Sequence, residues 1–571
     1  ISSVILKYRK RICSEYQYVT EYNSLPGEYV LLSERYTQPL ILQTHRDQQE
    51  RQEELRSSGE DFQQVLSSKN SHEFSYLNSL FNPGDHRISP SAVILQGNSG
   101  HGKTLTVQKI MMDWANGDLY KDQFDIVFHL KCKEINCISG KKSLVEILSY
   151  SCSLTSDEIS QILQQSPEKV LFIIDGFDEL KLTQDVYHMS PNSDPLQKAP
   201  PEVTLCALLR GRILRESFLL VTSRSTATDT LGKLLKGPQR FTEIMGFSEL
   251  GVEEYFQKFF QDEELFRKAY DCVRANETLI TACSIPVICW IICTTFKERF
   301  KDGAGVTSGL ETTTSIYVDF VSTLLEYHCQ GLSQSIPTLL KSLGKLAERG
   351  MLEKQVLFDE ESVNETVSDP AGSPFLCKFL FKRRIRQETM FSFMHLSFQE
   401  FFAALYYVLM EEGEESERKV RELFMELDKY HPRLYPPDFA AVVQFAFGLL
   451  NKDVIRTLRK KHGLVVHPNT QAHLKKWILE ELQSGYPVAD RTKFWLHCLY
   501  ELHEVEFVKE AIEARTIDAS DTGLTRIDCW ALLYCSQCCQ SIHKLDLTHS
   551  ALTCETLSMI LPALLRFNHL T

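Results

Sequence analysis

Gly97-Asn98-Ser99-Gly100-His101-Gly102-Lys103-Thr104 is the stretch that decides the fold of this chain. It fits the phosphate-binding pattern G-x-x-x-x-G-K-[ST]. The apolar run AVILQ at 92–96 precedes it as a short strand, and LTVQKIMMDWANG follows with apolar residues at helical spacing. Gly97, Gly100 and Gly102 allow a tight turn whose N–H groups face phosphate oxygens. The helix N-terminus behind them favours anions. Lys103 is expected to reach the outer phosphates, and the Thr104 hydroxyl to bind Mg²⁺.

About seventy residues on, KVLFIIDGFDEL at 169–180 supplies the second half of a nucleoside-triphosphate site. Its continuous apolar run reads as a central parallel strand covered on both faces. The run ends in Asp175, a carboxylate placed to hold Mg²⁺, with Asp178 and Glu179 beyond it to orient or deprotonate water. A third strand at 217–221 ends in Thr222-Ser223-Arg224, where the arginine stands to sense or stabilise a terminal phosphate.

The length of 571 residues calls for several domains. With 62 basic against 75 acidic residues the formal charge is −13, and no basic stripe points to nucleic acid. The run Lys7-Tyr8-Arg9-Lys10-Arg11 reads as a solvated helix face, so membrane association is not evident. The 17 cysteines lie scattered through apolar runs, as expected of a cytoplasmic protein. Cys529, Cys535, Cys538 and Cys539 include one C-x-x-C with no second pair at zinc spacing, and read as core. No secretory signal opens the chain, and its longest apolar stretches are too short to span a bilayer. The start at Ile1 and the end at Thr571 read as those of a fragment.

The first eighty or so residues form an appendage, with a helix at 2–11, a strand at 38–43 and a charged helical stretch at 45–66. A turn at Asn82-Pro83-Gly84-Asp85 closes it. Strands at 92–96, 124–130, 170–174, 217–221 and 241–245 then alternate with helices, which predicts a doubly wound α/β P-loop domain with a parallel sheet. The Pro/Ser-rich stretch 181–201 reads as a surface insert. From Ser248 the pattern is helical, with apolar runs at 252–260, 280–296, 394–410, 439–450 and 470–482. IHKLDLTHSAL at 542–552, with a helical stretch at 555–565, reads as one leucine-rich repeat. One such unit cannot bury its own face, so further repeats are expected.

In this order the pieces resemble the NOD-like receptors, the NACHT-domain branch of the STAND ATPases. GNSGHGKT resembles their Walker A loop and LFIIDGFDEL their Walker B strand. MMDWANGDLYKDQFD at 111–125 and FSFMHLSFQEFFAALYYVL at 391–409 resemble the pyrin-domain-containing, cryopyrin-like subfamily. KYRKRI and LSERYTQPLIL resemble its fish-specific NACHT-associated segment. The resemblance implies a NACHT-associated segment at 1–85, the nucleotide-binding domain at 86–246 and helical domain 1 at 247–308. A winged-helix domain at 309–414, helical domain 2 at 415–520 and the start of leucine-rich repeats at 521–571 follow. It places Arg35, Tyr36 and Thr37 beside the base, and Gly97, Gly100, His101, Gly102, Lys103, Thr104 and Leu105 around the phosphates. Tyr255 becomes a pocket wall, Pro286 and Trp290 pack near adenine and ribose, and His395 reaches the β-phosphate of ADP. Asn98, Ser99 and His101 depart from the small or aliphatic residues usual in the loop.

The implied function is an ATP/ADP switch with slow hydrolysis at an inflammasome-type platform of innate immunity. ADP holds a closed monomer, and ATP drives opening and self-assembly. A death-fold adaptor is expected to bind through a missing N-terminal effector domain. The alternative is a constitutively cycling P-loop motor or remodelling ATPase.

Overall fold

The computed structural model describes residues 2–43, 45–67, 75–83, 88–183, 193–301, 312–328, 334–383, 386–411, 413–428, 439–483, 489–513 and 515–571. Residues 184–192 of the expected insert fall outside them, as do Gly84 and Asp85 of the expected turn. In the N-terminal segment, helix α1 (Ser2–Tyr16) is followed by a ribbon of β1 (Tyr18–Val19) and β2 (Val30–Leu31). Strand β3 (Leu40–Leu42) and helices α2 (Gln48–Arg56) and α3 (Gly59–Ser67) complete it. The charged stretch expected as one helix is therefore two. Asp47 caps the first with a reciprocal bond to Glu50, and Ser57 ends it in an extended conformation.

The central sheet contains β3, β4 (Ala92–Gln96), β5 (Ile126–Lys131), β6 (Val170–Asp175), β7 (Phe218–Ser223) and β8 (Gln239–Gly246). Its order is β3-β8-β4-β7-β6-β5. All neighbours run parallel except β3, which pairs antiparallel with β8. Strands β4 and β6 are buried along their whole length, which explains why they read as unbroken apolar runs. The N-terminal segment is built into this domain. It supplies the sheet's edge strand, and Tyr8 of α1 donates a hydrogen bond to the Val127 carbonyl at 3.0 Å while packing on Trp114.

Beyond the sheet the chain is mostly helical. The apolar run at 280–296 is split into Glu277–Ala282 and Pro286–Lys301, with Pro286 opening the second helix, where its missing N–H costs nothing. The winged element combines β9 (Phe358–Asp359), β10 (Leu376–Arg383) and β11 (Arg386–Phe393) in the order β10-β11-β9. At the C-terminal end, β12 (Thr516–Asp518), β13 (Ile542–Asp546) and β14 (Phe567–Leu570) lie parallel. Helices Arg526–Gln537 and Cys554–Leu564 connect them. No helix among the described residues is long and apolar enough to cross a membrane.

Candidate functional site

Helix α4 (Lys103–Asn116) starts directly at the glycine-rich loop, with Gly102 as its N-cap in the left-handed region (φ 83°). Gly100, also left-handed, meets the Pro286–Lys301 helix so closely that a Cβ there would lie 2.5 Å from Val287. The Val287 N–H donates to the Gly100 carbonyl at 3.2 Å. The loop is thus docked on a helix about 185 residues away in sequence. Lys103 Nζ donates to the carbonyls of Gly97 at 2.8 Å and Asn98 at 3.1 Å. Burial, and then the Arg224 charge, push the Lys103 pKa down, although Asp178, Asp175 and Glu179 oppose this.

A cleft of about 860 Å³ opens over the loop. Its walls include Arg35, Tyr36, Thr37, Gly100, His101, Gly102, Lys103, Thr104, Leu105, Asp175, Asp178, Glu179, Arg224, Tyr255, Pro286 and Trp290. Nearly every residue expected at the site is thereby brought together. Gly97 sits at the strand end just behind the lining. His395 lies instead in a narrow neighbouring pocket with Asn98, His101, Arg51 and Glu243. There the Ser397 N–H donates to His395 Nδ1 at 3.1 Å, which fixes the proton on Nε2. Nε2 then donates to the Ser57 carbonyl at 2.6 Å. His395 thus caps the Leu396–Leu409 helix and ties it to the N-terminal segment.

The acids have separate environments. Thr222 donates to Asp175 at 2.5 Å, and His129 Nε2 stands 3.7 Å from the other carboxylate oxygen. Burial works against the Asp175 carboxylate, but His129, Thr222 and Thr104 outweigh it and hold its pKa below the ordinary value. Tyr16, at the end of α1, hydrogen-bonds His129 Nδ1 at 2.7 Å. Asp178 receives both the Arg224 backbone N–H at 2.9 Å and Arg224 Nε at 2.6 Å. Burial opposes its ionisation too, yet Arg224 and Lys103 prevail and lower its pKa. Glu179 is the reverse case: burial, then Asp178 and Asp175, raise its pKa. That makes Glu179 the better proton acceptor of the three.

Buried donors without a partner test whether a nucleotide fits. Among the described residues they include Thr37 Oγ1, Ser99 Oγ, Arg224 Nη1 and Trp290 Nε1, all on residues that line the cleft. Such groups are costly unless something accepts from them, and phosphate, ribose and base supply acceptors. The hard oxygens of Thr104 and Asp175 suit Mg²⁺.

Sequence reasoning did not find Tyr22, Lys133, Asn136, Tyr327, His328 or Asp369, which also line the cleft. No motif marks them, and only the tertiary fold brings them here. The unusual loop residue Asn98 has a local use. Its side-chain carbonyl accepts from Ser225 at 3.2 Å, while the Lys378 N–H of β10 donates to the same Ser225 oxygen at 2.9 Å. The winged element therefore reaches the phosphate loop at Asn98, in part through this serine.

This geometry defines a P-loop nucleotide-binding domain joined to helical and winged-helix elements. Known families match the same segments: a fish-specific NACHT associated domain over residues 8–75, a NACHT domain over 91–263, the NOD2 winged helix domain over 338–393 and the NLRC4 helical domain HD2 over 395–510. The chain carries a NACHT domain and is similar over nearly its whole length to the NACHT, LRR and PYD domains-containing proteins. It is 45% identical over 557 residues to a NACHT, LRR and PYD domains-containing protein 1 homolog from Danio rerio, covering 95% of this chain and 40% of that protein. Protein 3 of the same name from Homo sapiens is 34% identical over 554 residues, covering 95% of this chain and 52% of that protein. Protein 12 from Homo sapiens is 32% identical over 556 residues, with 95% and 51% covered. The chain thus spans about half the length, or less, of these relatives.

Proposed function

We propose that this chain is the nucleotide-dependent switch of a cytoplasmic innate immune receptor, a slow regulatory ATPase rather than a continuously cycling motor. One observation carries the reading. The cleft is walled by the N-terminal segment, the phosphate loop, the acidic strand end, the Pro286–Lys301 helix and the Thr313–His328 helix together. A ligand touching all of them cross-links the domains, so its exchange biases their arrangement.

The cleft lining and the family resemblance together support the following residue roles. Gly100, Gly102 and the amides of the loop cradle phosphate, and Lys103 leaves the Gly97 and Asn98 carbonyls to reach it. Arg35, Tyr36 and Thr37 hold the base side, Tyr255, Pro286 and Trp290 the opposite wall. Thr104 and Asp175 hold Mg²⁺, which neutralises phosphate charge when bound. Arg224, oriented by Asp178, faces the terminal phosphate, and Glu179 accepts the proton of the attacking water. His395 reaches the β-phosphate only by giving up Ser57, which makes that exchange part of the switch. Self-assembly in the ATP state and a death-fold adaptor as partner rest on the relatives' LRR and PYD names and on the family resemblance. The parallel C-terminal strands are the start of the repeats.

Chromatography of the nucleotide released on denaturing the purified protein tests the switch. We expect stoichiometric ADP from the wild type and none from Lys103→Ala. An empty wild type that turns ATP over steadily refutes it in favour of the motor.

A further inference from the structure

Trp290 and three side chains that no motif predicts, Tyr22, Tyr327 and His328, line the cleft together. Tyr22 lies between β1 and β2, Trp290 in the Pro286–Lys301 helix, and Tyr327 and His328 end the Thr313–His328 helix. They form one unit. The Tyr22 ring packs edge-on against Trp290, with centroids 5.2 Å apart, and at a tilt against Tyr327 at 4.8 Å. The Tyr327 hydroxyl donates to the Tyr22 carbonyl at 2.7 Å. The Tyr22 hydroxyl meets His328 Nε2 at 3.0 Å.

His328 faces the charged end of the site. After burial, the largest influences on its imidazole are the positive charges of Lys103 and Arg224, which help to push its pKa down to about 4, with Asp178 acting in the opposite sense. The ring is therefore neutral at physiological pH and has one N–H to give. Burial also lifts the Tyr22 hydroxyl to about 12, so it stays protonated. In the tautomer in which that hydroxyl donates to Nε2, the imidazole proton is on Nδ1, on the side of the ring away from Tyr22. The cations Lys103, Lys133 and Arg224 line the same space, which suits a multiply charged anion.

We infer that His328, oriented by Tyr22, is a contact for the terminal phosphate of a bound nucleoside triphosphate, and that it separates triphosphate from diphosphate. This rests on the cleft being the nucleotide site. In this arrangement the Thr313–His328 helix and the N-terminal segment both read the γ-phosphate, and a diphosphate leaves the imidazole N–H without its acceptor. His328 touches the ligand, whereas Tyr22 is a positioning residue.

Titration calorimetry with ADP and with a non-hydrolysable ATP analogue, both with Mg²⁺, tests this on the full chain after any co-purified nucleotide has been removed. For His328→Ala we expect the analogue to bind about tenfold more weakly while ADP affinity stays within about twofold, the size of one lost hydrogen bond to a charged group. Tyr22→Phe keeps the aromatic packing and should lose about threefold on the analogue alone. Equal losses for both ligands make His328 merely structural and overturn the inference, and so does no loss for either. If His328→Ala melts at a lower temperature than wild type, His328→Asn is read by the same ratio. A wild type that binds neither ligand refutes the nucleotide site itself, and this inference with it. Binding of both by wild type with an unchanged ratio in every variant refutes only the inference.

Discussion

Replacing Glu243 by alanine should cost the protein several kcal/mol, and the size follows from its surroundings. The Glu243 side chain projects from β8 and is only 5% exposed. It accepts Arg46 Nη2 at 2.9 Å and Arg51 Nη2 at 2.9 and 3.1 Å. Both arginines come from the N-terminal segment, and Arg51 also stacks over Phe379 of the winged element at 3.9 Å. One carboxylate thus joins three parts of the chain. Burial opposes its charge, but Arg51 and Arg46 prevail and hold its pKa at about 2, against an ordinary 4.5. A folded pKa below the unfolded one means that this contribution is complete above pH 4.5 and is lost as pH falls from there toward 2. A gap of about 2.5 units corresponds to about 3 kcal/mol. Independently, removing one partner of a buried ion pair costs about 3–5 kcal/mol, because the partner's charge is stranded. At about 2–4 °C per kcal/mol for a domain of this size, Glu243→Ala should melt on the order of 10 °C lower at pH 7. The difference from wild type should shrink at pH 3.5, where the wild-type carboxylate has begun to protonate. Glu54 also pairs with both arginines, so replacing all four charges (Arg46→Met, Arg51→Met, Glu54→Leu, Glu243→Leu) should cost less than Glu243→Ala alone, since no charge of the cluster is left unpaired. Calorimetric melting of the nucleotide-free proteins measures all of this. A shift below about 2 °C at pH 7, or one independent of pH, refutes the reasoning.

Asp178→Asn should weaken the hold on Arg224 and slow single-turnover ATP cleavage at least about tenfold, while nucleotide affinity stays within about threefold; wild-type cleavage would remove the pair from catalysis. His395→Ala removes a helix cap and the bond to Ser57, so thermal melting should show a loss of about 1–3 kcal/mol. Faster ADP release in the same variant, followed by fluorescence, is the expected sign of its proposed β-phosphate role. Acid should destabilise the protein well before its carboxylates titrate. Burial lowers His101 from 6.5 to about 4, so the unfolded chain takes up a proton that the folded one refuses. That stability is complete above pH 6.5 and falls away toward pH 4, by up to about 3 kcal/mol. Midpoints measured across this range should fall less steeply for His101→Gln.

The P-loop, the acidic strand end and the strand bearing Arg224 were legible because each carries its chemistry in a contiguous run flanked by periodic apolar residues. Strand β4 was found to the residue, since a strand buried on both faces has no polar positions to blur its ends. The β10–β11 hairpin was not found. Its sequence LCKFLFKR alternates only weakly, and its charged arginines resemble a helix surface. The ribbon of β1 and β2 is too short to leave a period. In the site, Tyr22 and His328 lie 306 positions apart, and no local pattern announces a pair that only packing creates. For His395, resemblance supplied a phosphate role, whereas the cap and the bond to Ser57 depend on where α2 ends, which was read as mid-helix.

Strand β3 has a consequence for how the chain is made. Its partner is β8, with Leu42 opposite Glu243, so 243 − 42 = 201 residues separate the paired positions. At about 5–20 residues per second, the ribosome takes roughly 10–40 s to deliver the second strand after the first. Throughout that interval the apolar strand β3 waits without the neighbour it pairs with. Pairing this non-local is also slow to nucleate once both partners exist. The N-terminal segment is thus synthesised well before the strand it pairs with and is secured late, which marks it as the stretch a nascent-chain chaperone would have to hold.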